Sequence, residues 1–480
     1  MIDKDLLEKI LTYGNKLGTK YIEIRALESK NRSLFSQQGN LVSAGENTDS
    51  GVGIRVIKDG SMGFYSCDKI SKANLQLALE KSIKFAGLTK RKHSLSMGEP
   101  VISKARWEVP VKENLFDVDF DTFLDFNKDF SQALTNIEKP NLLSTNVAFL
   151  SVKQSNKIIL TNEGTDLESI HSDISGFALI TAKATGGSEQ RFHDFRGSGG
   201  WEFFKERNFF EELSKDSDQL TKIADKAESV KFSQPIDMIV GSEVAGIISH
   251  ENVGHPAEGD RIMGREAAQA GESFWKQYIN NIGNQIVGSE HVSVSDDPTI
   301  IGSPGYYLYD DEGVPARKRN LMINGKLNEP LLNRDYGERF GLKSNAAARA
   351  DGYAREPIIR MASTFIEPGD YTLEEMVSDI KKGIYMKSFT EWNIDDVRFQ
   401  SKFVGLECYL IENGNITEKR IKRPALETTS LGLFHSIDAC GKPNTIEWTH
   451  AGSCGKGDPM QLAPVFMTGP CLRLRDIRLG

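Results

Sequence analysis

The first 90 residues alternate between helical and strand-like hydrophobic patterns. Leucine and isoleucine recur at helical spacing up to about residue 17, and residues 21–27 then alternate between apolar and polar. Asp59-Gly60 separates two later strand-like runs and predicts a type I′ hairpin, because both turn residues need positive φ. A second helical stripe follows from Ser71. The order helix, strands, helix predicts an N-terminal α/β module over residues 1–90.

Residues 87–110 separate this module from the next part of the chain. They hold a basic cluster, two prolines and little periodicity, which predicts a linker. Helical spacing returns at about 116–138, strand-like runs fill 144–185, and a charged amphipathic pattern follows at 203–230. The similar order of elements predicts a central α/β module over residues 111–232.

From residue 233 onward, short apolar runs alternate with turn signals. The Asn-Gly pairs at 324–325 and 413–414 each lie between two such runs, which is typical of two-residue hairpin turns. One strong helical pattern interrupts the strands, and it begins near Ser242, a good N-cap. We therefore predict an α+β protein whose N-terminal α/β modules precede a mostly antiparallel, β-rich C-terminal domain, residues 233–480, that carries this helix.

Composition and charge narrow the kinds of protein that fit this architecture. The 480 residues are 39% hydrophobic and 26% charged, with a net charge of -8, which is typical of a soluble globular protein and argues against a nucleic-acid partner. The basic cluster Lys90-Arg91-Lys92 is best explained as a solvated loop. No apolar run reaches the roughly 18–20 residues that span a bilayer, and the N-terminus lacks a signal-peptide core. We therefore expect a cytoplasmic protein without a membrane partner.

Cysteine usage adds one further limit. The five cysteines are few, odd in number and without the regular spacing of a disulfide framework. Disulfide bonds are therefore not implied.

The helix predicted in the C-terminal domain carries an HExxxH motif at residues 250–255. In the common zinc-peptidase motif HExxH, the histidines are four residues apart and face one way. Five residues rotate a regular helix by about 140°, which would point the rings of His250 and His255 apart. A π-bulge would absorb the extra residue, or the helix could break at Gly254, as Pro256 favours. Either geometry would bring the rings together.

Two imidazoles flanking a carboxylate point to a catalytic zinc site. Such a site usually has three protein ligands and an open position for water, whose pKa zinc lowers to about 7. Glu251 follows the first histidine and is placed to act as the general base. The alternative is a pair of histidines satisfied at a helix end without a metal.

A third zinc ligand has to come from elsewhere in the chain. Cys454 lies in a Gly-rich loop, and a thiolate is a strong zinc ligand. Glu258 is near the motif in sequence, and His450 lies four residues before Cys454. The residue chemistry leaves these three alternatives open.

Several residue blocks occur in one order along the chain: 50–56 (SGVGIRV) with Gly63-Phe64, 250–255 (HENVGH), 309–316 (YDDEGVPA), 352–357 (GYAREP) with 360–364 (RMAST), and 453–456 (SCGK). Together they resemble the TldD/PmbA metallopeptidases, and within that family the TldD branch, over nearly the whole chain. Pro256 departs from the family pattern, where glycine is common, and so does the loop 455–459.

The resemblance implies one zinc ion per subunit, held by His250, His255 and Cys454, with Glu251 as the base. It also implies a metalloprotease that acts on small or unfolded peptides inside a large cavity of a dimer. The partner would be a second copy of the chain or a PmbA-like subunit. The alternatives are a non-catalytic scaffold subunit of such a protease, a zinc hydrolase of non-peptide amides, or a binding protein with a structural metal.

Three further positions have a functional and a structural interpretation. The acidic cluster Asp310 to Glu312 could hold a second metal, but an arginine-paired or solvated hairpin face is the better explanation. Tyr353 and Arg360 could contact a peptide or polarise its carbonyl. We favour packing and salt bridging for both.

Overall fold

The computed structural model describes residues 2–88, 94–266, 271–448 and 451–479. The Lys90-Arg91-Lys92 cluster and His450 lie outside these residues. The helices are α1 (Lys4–Lys16), α2 (Lys72–Leu88), α3 (Phe120–Thr135), α4 (Glu202–Glu206), α5 (Phe209–Lys226), α6 (Ser242–Ser249), α7 (Gly259–Ile262), α8 (Arg334–Arg339), α9 (Leu373–Val377) and α10 (Ser430–Ser436). None of these helices is both long enough and apolar enough to cross a membrane.

The strands run through the whole chain and outnumber the helices. They are β1 (Tyr21–Gln37), β2 (Asn40–Lys58), β3 (Ser61–Cys67), β4 (Lys104–Glu108), β5 (Leu143–Thr161), β6 (Asp166–Ala184), β7 (Gly187–Ser198), β8 (Ile236–Val240), β9 (Val294–Asp296), β10 (Arg319–Ile323), β11 (Lys326–Leu327), β12 (Ala348–Arg349), β13 (Ile358–Ile359), β14 (Ser363–Ile366), β15 (Lys382–Met386), β16 (Phe389–Ile394), β17 (Gln400–Gly405), β18 (Cys408–Glu412), β19 (Asn415–Arg420), β20 (Ala425–Thr429), β21 (Ile437–Cys440), β22 (Ala451–Lys456), β23 (Gln461–Thr468) and β24 (Leu472–Ile477).

Strands β1 to β7 form one sheet, the N-terminal sheet, in the order β3-β2-β1-β5-β6-β4 with β7 also paired to β6. The segments predicted as two α/β modules meet in it, because β1 pairs with both β2 and β5. Strand β4 lies inside the predicted linker and runs parallel to β6. Its five residues were too few to show a periodic pattern, so the structure corrects this part of the prediction.

Helices α1, α2, α3 and α5 all cover the same face of the N-terminal sheet. In β1, the even-numbered residues Ile22 and Ile24 pack on α1 and α2, while Leu34 packs on α3 and α5. Since side chains alternate along a strand, the odd-numbered residues point to the opposite face. One end of that opposite face carries charged residues and meets the C-terminal domain.

The acidic cluster 310–312 forms this junction between the sheet and the C-terminal domain. Asp311 binds Lys157 at 2.7 Å, and Glu312 binds Arg55 at 3.0 Å. Burial opposes ionisation of Asp311, but the charges of Lys157 and Arg25 outweigh it and lower its pKa to about 2. Asp311 and Glu312 are therefore paired charges buried between two parts of the fold, whereas Asp310 accepts hydrogen bonds from the backbone N–H groups of Glu312, Val314 and Ala348.

In the C-terminal domain, α6 packs on β14 and β23. The first C-terminal sheet has the order β11-β10-β9-β14-β23-β22, and the second has the order β19-β18-β15-β8-β24-β21. Every residue of α6 is buried, and its apolar side chains belong to the core that both sheets share. Most strand pairs are antiparallel, with parallel pairs at β14–β23 and β8–β15. The predicted α+β class is confirmed.

The predicted hairpin turns also match the backbone. Asp59 and Gly60 have φ of 50° and 73°, and Asn324 and Gly325 have 47° and 73°. Both turns therefore have the two positive φ angles of a type I′ turn, which these residue types tolerate. The Asn-Gly pair at 413–414 has the same property, with φ of 50° and 77°.

Gly63 is predicted to be intolerant of any side chain. A Cβ atom at this position would lie 1.8 Å from the carbonyl oxygen of Ser82, because β3 packs directly on α2 there. We expect Gly63→Ala to lower the free energy of unfolding by about 1–3 kcal/mol, the usual effect of overpacking. Urea denaturation would measure it.

Gly87 provides the matched control. It lies on α2, the helix on which Gly63 packs, and a Cβ atom added to it would have nothing within 4 Å. Gly87→Ala should be neutral or stabilise the protein by up to about 1 kcal/mol. Equal stability of the two variants would contradict the close packing of β3 on α2.

Candidate metal centre

The HExxxH residues lie where α6 changes into a π-helical turn. Residues 250–254 form this turn, and the His255 N–H donates to the His250 carbonyl at 3.0 Å, five residues back. The extra residue turns the two imidazoles toward each other, with ring centroids 4.7 Å apart. Of the two geometries that the spacing allows, the structure has the π-turn and not a break.

Gly254 is required at this turn by space rather than by backbone conformation. A Cβ atom there would lie 2.1 Å from the sulfur of Met361. His255 keeps helical angles, φ -62° and ψ -45°, although Pro256 follows it. The expectation that Pro256 would force His255 out of helical angles is therefore wrong, and His255 is the C-cap at which the helix ends. Ser242, the predicted N-cap, is the first helical residue, and Gly241 is the cap.

Cys454 reaches the two histidines from β22, about 200 residues later in the chain. Its sulfur lies 3.3 Å from Nε2 of His255, and one donor atom from each of the three buried residues lies within 4.8 Å of the others. Burial opposes ionisation of the thiol, but the charges of His255 and Arg360 outweigh it and lower its pKa below the usual value.

The donor set fits a zinc ion. A sulfur and a nitrogen ligand of a tetrahedral zinc ion lie roughly 3.6 Å apart, so the observed 3.3 Å between Cys454 and His255 needs only a small adjustment. Nδ1 of His250 is buried and has no hydrogen-bond partner among the described residues. An unsatisfied polar atom beside two metal-binding groups is the signature of a site that takes a further group.

Glu258, one of the alternatives for the third ligand, contacts the other side of His255. Its carboxylate lies 3.1 Å from Nδ1 of His255, so it can hold the tautomer that leaves Nε2 free as a ligand atom. Arg261 and Lys456 lie 2.5 and 3.4 Å from the same carboxylate. Burial opposes its ionisation, but Lys456 and Arg261 outweigh burial and hold its pKa well below the usual value.

The carboxylate of Glu251 is held at both oxygens. The indole N–H of Trp392 donates to one oxygen at 3.0 Å, and Arg398 donates to the other at 3.4 Å. Burial raises the pKa of Glu251, but His255, His250 and Arg398 lower it more, so the group is ionised at neutral pH. Trp392 and Arg398 carry no motif, and sequence analysis did not find them.

These residues line a cavity of about 380 Å³. His250, Glu251 and His255 form one wall, and the β22 residues around Cys454 form another. The remaining walls are largely apolar and include Phe192, Ile247, Phe389, Trp392 and Met467. The site therefore combines metal-binding donors, a carboxylate base and room for a small organic group.

Neither Arg360 nor Tyr353, the two residues considered for substrate contact, lines this cavity. Arg360 is almost completely buried and donates to the carbonyls of Cys454 and Gln461, so it supports β22 from behind. The Tyr353 hydroxyl lies 3.5 Å from Asp49, on a different cavity. The structural interpretation of both residues fits these contacts.

Comparisons with known proteins match the whole chain. Family models match at residues 22–86 (PmbA/TldA metallopeptidase domain 1), 113–229 (central domain) and 233–480 (C-terminal domain). A metalloprotease from Methanothermobacter thermautotrophicus is 29% identical over 100% of this chain and 99% of its own length. A zinc metalloprotease TldD homolog from Saccharolobus solfataricus is 23% identical over 98% of this chain and 99% of its own length.

Solved structures show the same fold. TldE from Thermococcus kodakarensis matches with a TM-score of 0.71 and 16% identity, over 99% of this chain and 100% of that one. A Thermotoga maritima protein described as a candidate modulator of a DNA gyrase matches with a TM-score of 0.77 and 17% identity, over 99% and 100%. At this level of identity, the likeness concerns the fold alone.

The contact between Glu258 and His255 predicts an effect on metal affinity. Glu258→Gln removes the negative charge that holds the imidazole, and loss of such a partner typically weakens metal binding about 10–100-fold. Competition with a chromophoric zinc chelator would measure the dissociation constant. Glu272→Gln, which alters a surface pair with Lys276, is the control and should leave it unchanged. Equal affinities in the two variants would contradict the assignment.

Proposed function

The chain belongs to the PmbA/TldD family of metallopeptidases, and on that premise we propose that it is a zinc-dependent peptidase. The ion would be held by His250, His255 and Cys454, one per subunit, with Glu251 as the general base. One observation carries the proposal: donor atoms from an internal helix and from a distant strand lie within 4.8 Å of one another, all buried.

The residues around the proposed zinc site have separate roles in hydrolysis. When bound, zinc would supply Lewis-acid activation of a water molecule and of the scissile carbonyl. Glu251 accepts a proton from the attacking water and donates it to the leaving amine. Trp392 and Arg398 keep its carboxylate oriented toward the cavity, at 3.0 and 3.4 Å. Glu258 holds His255 in one tautomer.

The cavity supports a small or extended substrate. Its volume of about 380 Å³ suits a few peptide residues and not a folded domain. Two edge strands flank it, β22 beside Cys454 and β16 with Trp392. An edge strand offers free backbone groups that pair with an extended chain, which favours a peptide over other amides.

The alternatives differ in what they require of the site. A structural metal needs a closed set of four protein ligands, whereas the metal-binding group among the described residues has three donors. A non-catalytic scaffold subunit would not need Glu251 to be held ionised beside them. A zinc hydrolase of non-peptide amides would use the same groups, so only an assay against both substrate classes distinguishes it from a peptidase.

We further propose that the protein works as a dimer in the cytoplasm. The partner is a second copy or a PmbA-like subunit, in keeping with the similarity to TldE, a protein of the same fold. Sedimentation of the purified chain alone would distinguish the two partners, because only a self-associating chain would form the dimer.

Two substitutions separate metal binding from catalysis. Glu251→Gln should retain zinc and lose about 10²–10⁴-fold in hydrolysis of casein or a fluorogenic peptide library, because the base is gone but the ligands remain. Cys454→Ala should lose most of its zinc, since one of three ligands is removed. Elemental analysis and peptide assays on the same samples would measure both.

Cys67→Ala is the control, since Cys67 is a free, half-buried thiol on β3, outside the metal centre. It should keep wild-type zinc and activity. Activity that persists in Glu251→Gln would refute the mechanism, and full zinc content in Cys454→Ala would refute the third ligand. Cleavage of simple amides but of no peptide would favour the non-peptide hydrolase.

A further inference from the structure

An apolar patch lies on the N-terminal sheet face that the helices leave uncovered. It consists of two cross-strand rows. Phe35, Phe149 and Phe177 are register partners on β1, β5 and β6, and Val147, Leu179 and Phe192 are partners on β5, β6 and β7. We call these six side chains the aromatic patch. Its rings form a ladder: Phe149 stacks on Phe177 with centroids 5.8 Å apart, and Phe177 stacks on Phe192 at 5.2 Å.

The aromatic patch is unusual for a sheet that packs helices on its other face. Such a sheet normally alternates apolar side chains toward the core with polar ones toward solvent. Here Ala148 and Leu150 face the helices, while Val147 and Phe149 between them face outward. In the described part of the chain, the three stacked rings belong to none of the hydrophobic clusters that fill the core. Exposed apolar surfaces of this kind mark binding sites.

The patch is continuous with the candidate metal centre. Phe192 is 51% exposed and lines the same cavity as His250, Glu251 and Cys454. Strand β7 packs against β22, and a Cβ atom on Gly452 would lie 3.4 Å from the carboxylate of Asp194, the next outward residue on β7. An extended peptide bound beside Cys454 would therefore run onto the aromatic patch.

The size of the patch favours a side chain over a protein partner. Phe192 is exposed and the other five side chains are partly buried, so together they offer at most on the order of 300 Å². A stable protein interface buries about 800 Å² on each partner. Stacked rings also prefer another aromatic or a large apolar group, which adds offset or edge contacts to the ladder.

We propose that the aromatic patch is a substrate subsite that selects peptides with a large apolar or aromatic side chain on one side of the scissile bond. This inference rests on the proposed peptidase function and names the substrate class of its site. Phe192 is the patch residue that lines the cavity, and the ring of Phe177 stacks against it. Polar and small side chains at the same peptide position gain nothing from the patch.

Equilibrium binding tests this selection without requiring turnover. Full-length, zinc-loaded Glu251→Gln would be titrated with fluorescein-labelled octapeptides of alanine and glycine that carry one phenylalanine, or one serine, at each position in turn. At one or two positions, phenylalanine should tighten binding about tenfold relative to serine, since burial of part of a phenyl ring has that effect. Added Phe192→Ser or Phe177→Ser should reduce this gain to less than about twofold.

Val42→Ser is the matched control, because Val42 is 59% exposed on β2 of the same sheet and lies outside the aromatic patch. It should retain the tenfold gain, and serine peptides should bind all variants equally. Phe192→Ser changes a half-exposed side chain, and thermal melts of the variants check that each one is folded.

Two outcomes would overturn the inference. One is a phenylalanine gain that is absent at every position or that survives both patch substitutions. The other is a change in oligomeric state by sedimentation in Phe192→Ser with the gain retained, which would make the patch a subunit contact. If the gain behaves as expected but the wild-type protein cleaves no peptide, the subsite stands and the proposed hydrolysis fails.

Discussion

The π-helical turn is the constraint on which the metal centre depends. In a regular helix, His250 and His255 would point about 140° apart, and no single ion could contact both. The turn brings the rings together, with centroids 4.7 Å apart. The turn follows α6, which is buried along its whole length, and Met361 occupies the space beside Gly254. A π-turn is rare and costly in an isolated helix, so tertiary packing has to impose it.

Buried ionic contacts also position the metal-binding residues. Glu258 is completely buried, and Lys456, Arg261 and Arg360 surround it. Desolvation of such a cluster is expensive, and an apolar core of the same volume would be at least as stable. The cluster instead links the two halves of the centre, because Glu258 contacts His255 and Arg360 donates to the carbonyl of Cys454. Its value lies in the geometry it specifies rather than in stability.

The N-terminal sheet has three different environments on its two faces. Helices cover one face, and the C-terminal domain covers one end of the other through paired charges such as Arg55 with Glu312. The rest of that face carries Phe149, Phe177 and Phe192 beside the metal-site cavity. A single continuous sheet therefore joins the fold's two halves and brings apolar surface next to the candidate chemistry.

Local patterns in the chain specified the α+β class, the type I′ turns and the family, all of which are confirmed. Each depends on neighbouring residues: an Asp-Gly pair supports positive φ wherever it occurs, and matching blocks need no knowledge of contacts. The same patterns singled out His250 and His255 but left the third donor open, and they favoured a non-helical backbone at His255, which does not occur. Only the tertiary structure placed the Cys454 sulfur 3.3 Å from Nε2 of His255. It also placed the Glu258 carboxylate beside Nδ1 of His255, and the Trp392 indole beside Glu251. Most of these contacts join residues that are far apart in the chain, and the contact of Glu258 depends on how the surrounding residues pack. A local sequence pattern contains no information about which distant segments come together.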